Sequence, residues 1–77
     1  MATHDLKIRP KYFHLIERGI KKFEIRLNDR DFKLGDYLLL REFSDGEFSG
    51  ATLLKKITYI FNDEAYCKEG FVILGFE

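Results

Sequence analysis

The sequence predicts a mainly β, α+β domain in which one main helix follows the first of five short strands and the strands form a single curled sheet. Three observations carry that reading. Several short runs alternate apolar and polar residues with period two, one run between Pro10 and Gly19 repeats at helical spacing, and Gly, Asn and Asp clusters separate the runs. A chain of 77 residues is expected to be one domain, spanning 1–77.

In order along the chain, Leu6 and Ile8 alternate with Lys7 and Arg9, which marks a short strand with one buried side. Pro10 ends it and suits the first turn of a helix, where its missing N–H leaves no hydrogen bond unmade. Tyr12, Phe13, Leu15, Ile16 and Ile20 follow at helical spacing, and Gly19 stands where a C-terminal glycine cap belongs. The helix is therefore expected over Lys11 to Arg18. The next strand, Lys22 to Leu27, places Phe23, Ile25 and Leu27 on one face and Lys22, Glu24 and Arg26 on the other, with the apolar face expected inside. A polar connector, Asn28 to Asp31, leads to the Gly35-Asp36 turn.

Tyr37 to Phe43 is a continuous apolar run of strand length, expected to be buried on both faces. Asp45-Gly46 is a hairpin signal. Thr52 to Phe61 is rich in β-branched and aromatic residues, with its alternation broken at Lys55 and Lys56, where a bulge or bend is expected. Asn62-Asp63 can cap a single helical turn over Glu64 to Tyr66. Phe71 to Phe76 is apolar on both faces and reads as central or barrel-closing. Phe23, Ile25, Leu38, Leu40, Ile57, Val72 and Leu74 form the expected core.

Composition bounds the function. So small a chain buries only about 60% of the surface its unfolded form exposes, and eight Phe and four Tyr supply the large pieces such a core needs. A folded monomer without disulfides is expected, since Cys67 is the only cysteine. That usage, the absence of a membrane-length apolar run and a leading segment unlike a signal peptide predict a cytoplasmic protein away from membranes. His4, His14 and Cys67 lack the spacing of a zinc site, so neither metal nor cofactor is expected. The formal charge is zero, which argues against a nonspecific duplex-DNA coat. Yet residues 1–41 hold ten Lys and Arg against six Asp and Glu, and residues 42–77 hold three against seven. The asymmetry either steers an anionic ligand to one side or serves solubility alone.

The run Gly19 to Arg26 places Gly19, Lys21, Glu24 and Arg26 at the spacing G-x-K-x-x-E-x-R. That spacing resembles the signature of the ASCH (activating signal cointegrator homology) domain, a branch of the PUA-like superfamily. The order of strand, helix, signature strand, the turn Lys33 to Asp36 and a closing apolar strand follows the same family over nearly the whole chain. The strings Leu6-Lys7-Ile8-Arg9-Pro10, Phe23-Glu24-Ile25-Arg26, Asn28-Asp29-Arg30-Asp31-Phe32 and Lys56-Ile57-Thr58-Tyr59-Ile60 resemble a compact bacterial and phage subfamily of ASCH-like domains with no settled function. The resemblance implies a PUA-like five-stranded β-barrel and an RNA-linked role. It also implies that Lys21 lines a groove between barrel and helix that would take a single-stranded nucleotide or modified base.

Each candidate has two readings. Lys21 is a groove residue or a solvated lysine at a strand end. Glu24 and Arg26 are a same-face ion pair, or Arg26 presents its fork to a phosphate or base edge while Glu24 orients it. Strict alternation sets Lys21 and Glu24 on opposite faces, so a site using both requires a twist or bulge near Lys22. Lys7 and Arg9, just before the helix, could seat a phosphate. Arg30 could do the same, or be clamped by Asp29 and Asp31. His4 and His14 have no obvious partner for triad chemistry. Phe48 and Tyr12 are the aromatics expected to be exposed enough to stack on a base.

The leading functional reading is an RNA- or nucleotide-binding module built on Lys7, Arg9, Lys21, Glu24, Arg26 and Arg30. The alternative is a small amidohydrolase on acylated cytidine-type nucleosides, as the resemblance implies for some bacterial relatives, with Lys21 and Glu24 as acid–base candidates. Those relatives carry a threonine where this chain has Glu24. A protein-interaction module pairing through an exposed sheet edge is the third reading.

Overall fold

The computed structural model describes residues 1–77. Its elements are β1 (Thr3–Ile8), α1 (Pro10–Glu17), β2 (Phe23–Leu27), β3 (Tyr37–Ser44), β4 (Glu47–Phe61) and β5 (Phe71–Phe76). The five strands lie in the order β1-β3-β4-β5-β2, with β1 parallel to β3 and the other neighbours antiparallel. The expected mainly β arrangement with one helix after the first strand is present. The barrel is not: β1 and β2 stand at opposite ends of that order and do not pair, so the sheet curls without closing.

Local chemistry accounts for the elements. Pro10 opens α1, and Gly19, at φ +75°, ends it. Gly19 N–H donates to Ile16 C=O at 3.0 Å and Ile20 N–H to Leu15 C=O at 2.9 Å, the paired bonds of a Schellman cap. Asp45 and Gly46 both adopt positive φ and form the two-residue turn between Ser44 and Glu47, so β4 begins five residues before the expected Thr52. The bend expected at Lys55 and Lys56 is where β4 changes partner. It pairs with β3 as far as Lys56 and with β5 from Ile57, with a register shift between Ile57 and Tyr59. Asp63 gathers the turn after β4, its carboxylate accepting the Ala65 N–H at 2.9 Å and its carbonyl the Cys67 N–H at 2.8 Å.

The core gathers Leu6 and Ile8 of β1, Phe13 and Ile16 of α1, Phe32, Leu38, Leu40, Ile57, Val72, Leu74 and Phe76. Five of the seven expected core residues are there, but Phe23 and Ile25 are not. They are 43% and 55% exposed, and Glu24 between them is 7% exposed. Alternation in β2 holds, with its faces reversed. Glu24 lies opposite Leu74 and Arg26 opposite Val72 on the inner side of β5, whereas Ile25 lies opposite Ile73 on the outer side. The inner side of β2 looks onto the open seam beside β1, where Lys21 and Arg26 supply partners for a carboxylate.

His4 is a second buried polar group. It shares the inward parity of Leu6 and Ile8, and its Nε2 lies 2.8 Å from the Asp36 carboxylate, under the ring of Phe32. Asp36 also accepts the backbone N–H of Ala2 at 3.1 Å and of Lys33 at 3.2 Å, tying the first strand to the turn before β3. Each histidine, for which the sequence offers no partner for triad chemistry, thus has a carboxylate neighbour, His14 reaching Glu42 at 3.0 Å. The His4 hydrogen bond foremost, and then the Ala2 and Lys33 N–H groups, hold the Asp36 carboxyl below its ordinary pKa, against the opposing effect of its burial.

Two outcomes follow for stability. Leu74→Ala should cost about 2–5 kcal/mol because it empties a fully buried site, whereas Ile25→Ala, on the outer face, should shift a denaturant midpoint by about 1 kcal/mol or less; equal losses would place Ile25 inside. Because the folded Asp36 carboxyl binds its proton less tightly than the unfolded one, its contribution is complete above the ordinary carboxylate pKa and falls as pH drops through about 4 and below. Acid titrations of the melting temperature should show a shallower acid loss in Asp36→Asn than in the native protein.

Candidate functional site

The open seam of the sheet is a cleft of about 340 Å³. Lys7, Arg9 and Tyr12 form one wall, from the end of β1 and the first turn of α1, while Glu24, Arg26 and Leu27 of β2 form the other. A second depression of about 330 Å³ continues along β2 past Tyr12, Lys21 and Phe23. Four of the six sequence-derived candidates, Lys7, Arg9, Glu24 and Arg26, thus line one cleft, and Lys21 lines its continuation.

Glu24 organises the site. Its side chain, 9% exposed, receives Lys21 Nζ at 2.8 Å on one carboxylate oxygen and Arg26 Nε at 3.2 Å on the other. Lys21 precedes β2, so strand parity does not apply to it, and the expected separation of Lys21 from Glu24 is overturned. Lys21 Nζ also donates to Phe23 C=O at 2.6 Å and sits 4.6 Å from the Phe23 ring centroid and 5.2 Å from that of Tyr12. Arg26 then reaches out of β2, and its Nη2 donates to Lys7 C=O at 2.6 Å on the facing edge of β1.

Arg30 stands outside the cleft. Its guanidinium bonds Asp5 C=O, also on the free edge of β1, and its nearest approach to Asp29 is a long 3.9 Å. Asp31 pairs with Lys33 at 3.3 Å, so the expected clamp of Arg30 by its two neighbours is absent. Lys7 and Arg9 belong to none of the eight ion pairs of the chain. The Lys7 ammonium instead lies 4.6 Å from the Phe43 ring centroid. Phe48, 41% exposed, pairs with Phe43 across the hairpin and carries the Arg41 guanidinium 3.8 Å from its ring centroid. Arg41 went unnoticed in the sequence, where nothing linked it to Phe48 before the hairpin register was known. No group of three or more His, Cys, Asp or Glu side chains is arranged to hold a metal ion, and no helix is long and apolar enough to cross a membrane.

The fold and site together define a small α+β domain with an open, cation-lined seam in its sheet. The chain belongs to the DUF3850 family, a domain of unknown function whose model matches residues 3–76. It is also 37% identical over 71 residues to a protein of Escherichia phage P2 described as an uncharacterized 12.9 kDa protein in the GpA 3′ region. That match covers 92% of this chain and 64% of the phage protein's length.

Removing the central carboxylate tests the network. Glu24→Gln should leave Lys21 and Arg26 without their common anion and lower stability by about 2 kcal/mol, measured by urea denaturation. An unchanged midpoint would mean that the three charges act separately.

Proposed function

We propose that the seam cleft binds a phosphate-bearing, nucleotide-type ligand, with single-stranded RNA the leading candidate. The observation that carries this reading is the contrast among its cations. Arg26 is held by Glu24 and Lys7 C=O, whereas Lys7 and Arg9 face the cleft with no carboxylate to neutralise them. Two such cations at one mouth suit a phosphate, Tyr12 offers a ring to a base, and the Glu24–Arg26 pair offers a polar edge on the opposite wall. The likeness of Gly19, Lys21, Glu24 and Arg26 to the ASCH signature supports the same reading, since that resemblance implies a ligand groove beside the helix. The neutral formal charge of the chain makes the local distribution the only electrostatic attraction available.

An enzymatic reading has one observation in its favour. The Lys21 ammonium and Glu24 carboxylate are 2.8 Å apart and largely buried, close enough to exchange a proton. Release of acetate from acetylated cytidine by the purified protein, abolished in Lys21→Ala, would give that reading precedence.

The binding reading is checked by titrating single-stranded RNA across salt concentrations. Lys7→Ala and Arg9→Ala should each weaken binding and reduce the slope of log affinity against log salt by about 0.7 per lost phosphate contact. Lys56→Ala is the control, because Lys56 pairs with Tyr37 at the end of β3 remote from Lys7. Three variants with the same effect, or none with any, would remove the cleft as the RNA site.

A further inference from the structure

The hairpin between β3 and β4 carries a cluster that neither the core nor the Glu24 network uses. Phe43 and Phe48 face each other across it, their ring centroids 4.8 Å apart and their planes at 62°. Two cations lie over these rings. The Arg41 guanidinium is 3.8 Å from the Phe48 centroid, a stacking distance, and the Lys7 ammonium is 4.6 Å from the centroid of Phe43 and 5.9 Å from that of Phe48. None of the hairpin's own acids pairs with either cation: Glu42 reaches His14, and Glu47 lies opposite Ser44, on the other face from Phe48. Asp5 alone approaches Arg41, at a long 3.4 Å between two partly exposed side chains.

Lys7 joins this cluster to the cleft, because the same residue lines the cleft wall beside Arg9. The order β1-β3-β4 sets Phe48 two strand spacings from β1, about 10 Å. A stacked single strand advances about 3.4 Å per nucleotide, so a mononucleotide held by Arg9 and Lys7 stops short of Arg41 and a strand of about four nucleotides reaches it. What the hairpin presents there is selective. A guanidinium backed by a phenyl ring offers its plane to a base and its N–H groups to a phosphate, the two features that a single strand repeats along its length. An acidic peptide would supply the charge without the planar group, and an apolar partner would meet cations over both rings.

We propose that Arg41 and Phe48 form a second subsite, continuous with the cleft through Lys7, so that the ligand is a single-stranded oligonucleotide running from Arg9 onto the hairpin and not a mononucleotide. This rests on the reading of the cleft as a phosphate site. Lys7 and Arg9 hold one end of the strand by charge, and the layered Phe48 and Arg41 side chains hold a base further along it by stacking.

Anisotropy titrations of the full chain with a labelled ten-nucleotide oligouridylate, beside chemical-shift titrations with uridine monophosphate, test the subsite. Phe48→Ala and Arg41→Ala should each weaken the decamer at least about fivefold, the lower end of the loss for one stacking contact, and leave the monophosphate unchanged. Their salt dependences should differ. Arg41→Ala reduces the slope of log affinity against log salt by about 0.7, whereas Phe48→Ala removes no charge and keeps it. Phe48→Leu retains the apolar pair with Phe43 but not the ring and should behave as Phe48→Ala, with thermal melts establishing that the variants are folded. Native decamer affinity in the hairpin variants, with Arg9→Ala still weakened, overturns the subsite and leaves the cleft reading standing. Loss in the hairpin variants without loss in Arg9→Ala, or no binding of either probe, overturns the cleft reading and this proposal with it.

Discussion

A carboxylate sits on the inner face of an edge strand, and much of the seam follows from it. Glu24 is nearly as shielded from water as the core residues beside it, and an unpaired charge there would be strongly destabilising. Lys21 and Arg26 converge on its two oxygens from opposite directions along the chain. Arg26 then has donors left over, and one of them finds Lys7 C=O on the strand across the gap. A single buried acid thus fixes the side chain that spans β1 and β2, where backbone pairing would otherwise have to close the barrel. The sheet is held in a curled shape by a guanidinium instead of a ladder, and that substitution leaves room for a cleft.

The same arrangement sorts the cations into two kinds. Arg26 and Arg30 are engaged in structure, donating to β1 carbonyls, and Lys21 is fixed between Glu24 and two aromatic rings. Lys7 and Arg9 remain outside every ion pair. Net charge conceals this, because thirteen positive and thirteen negative side chains cancel over the whole chain. What matters to an anion at the seam is which charges are already neutralised by a neighbour, and only geometry supplies that information.

Much of the architecture was legible in the sequence because it depends on local rules. The Pro10 start and Gly19 stop of the helix, the Asp45-Gly46 turn and the inward parity of Leu6 and Ile8 need only neighbours in the chain. The failures share one cause. Alternation tells which side chains share a face but not which face looks inward, and in β2 the choice was made by distant partners, Lys7 and the inner row of β5. Composition pointed the wrong way there, since three apolar residues against two charged ones ordinarily predict a buried apolar face. Closure of the sheet was illegible for the same reason, as no local pattern in β1 or β2 states whether two strands separated by α1 will pair. Of the site, the residue types were readable and the pairings were not. Lys21 joins Glu24 because it precedes the strand, which begins at Phe23, one residue later than expected, and Arg30 leaves its adjacent aspartates for a carbonyl 25 positions away.

The reversal of β2 shapes both of its faces. Turning Glu24 and Arg26 inward gives the cleft its polar wall, and by the strict period of a strand it must turn Phe23, Ile25 and Leu27 outward. A chain that placed its apolar residues inside would have neither feature: the core would absorb the seam, and the outer face of the edge would be charged. The outward residues still reach the rim, since Ile25 and Leu27 line the cleft beside Glu24 and Arg26, so its β2 wall is polar at the two charged residues and apolar at its edge.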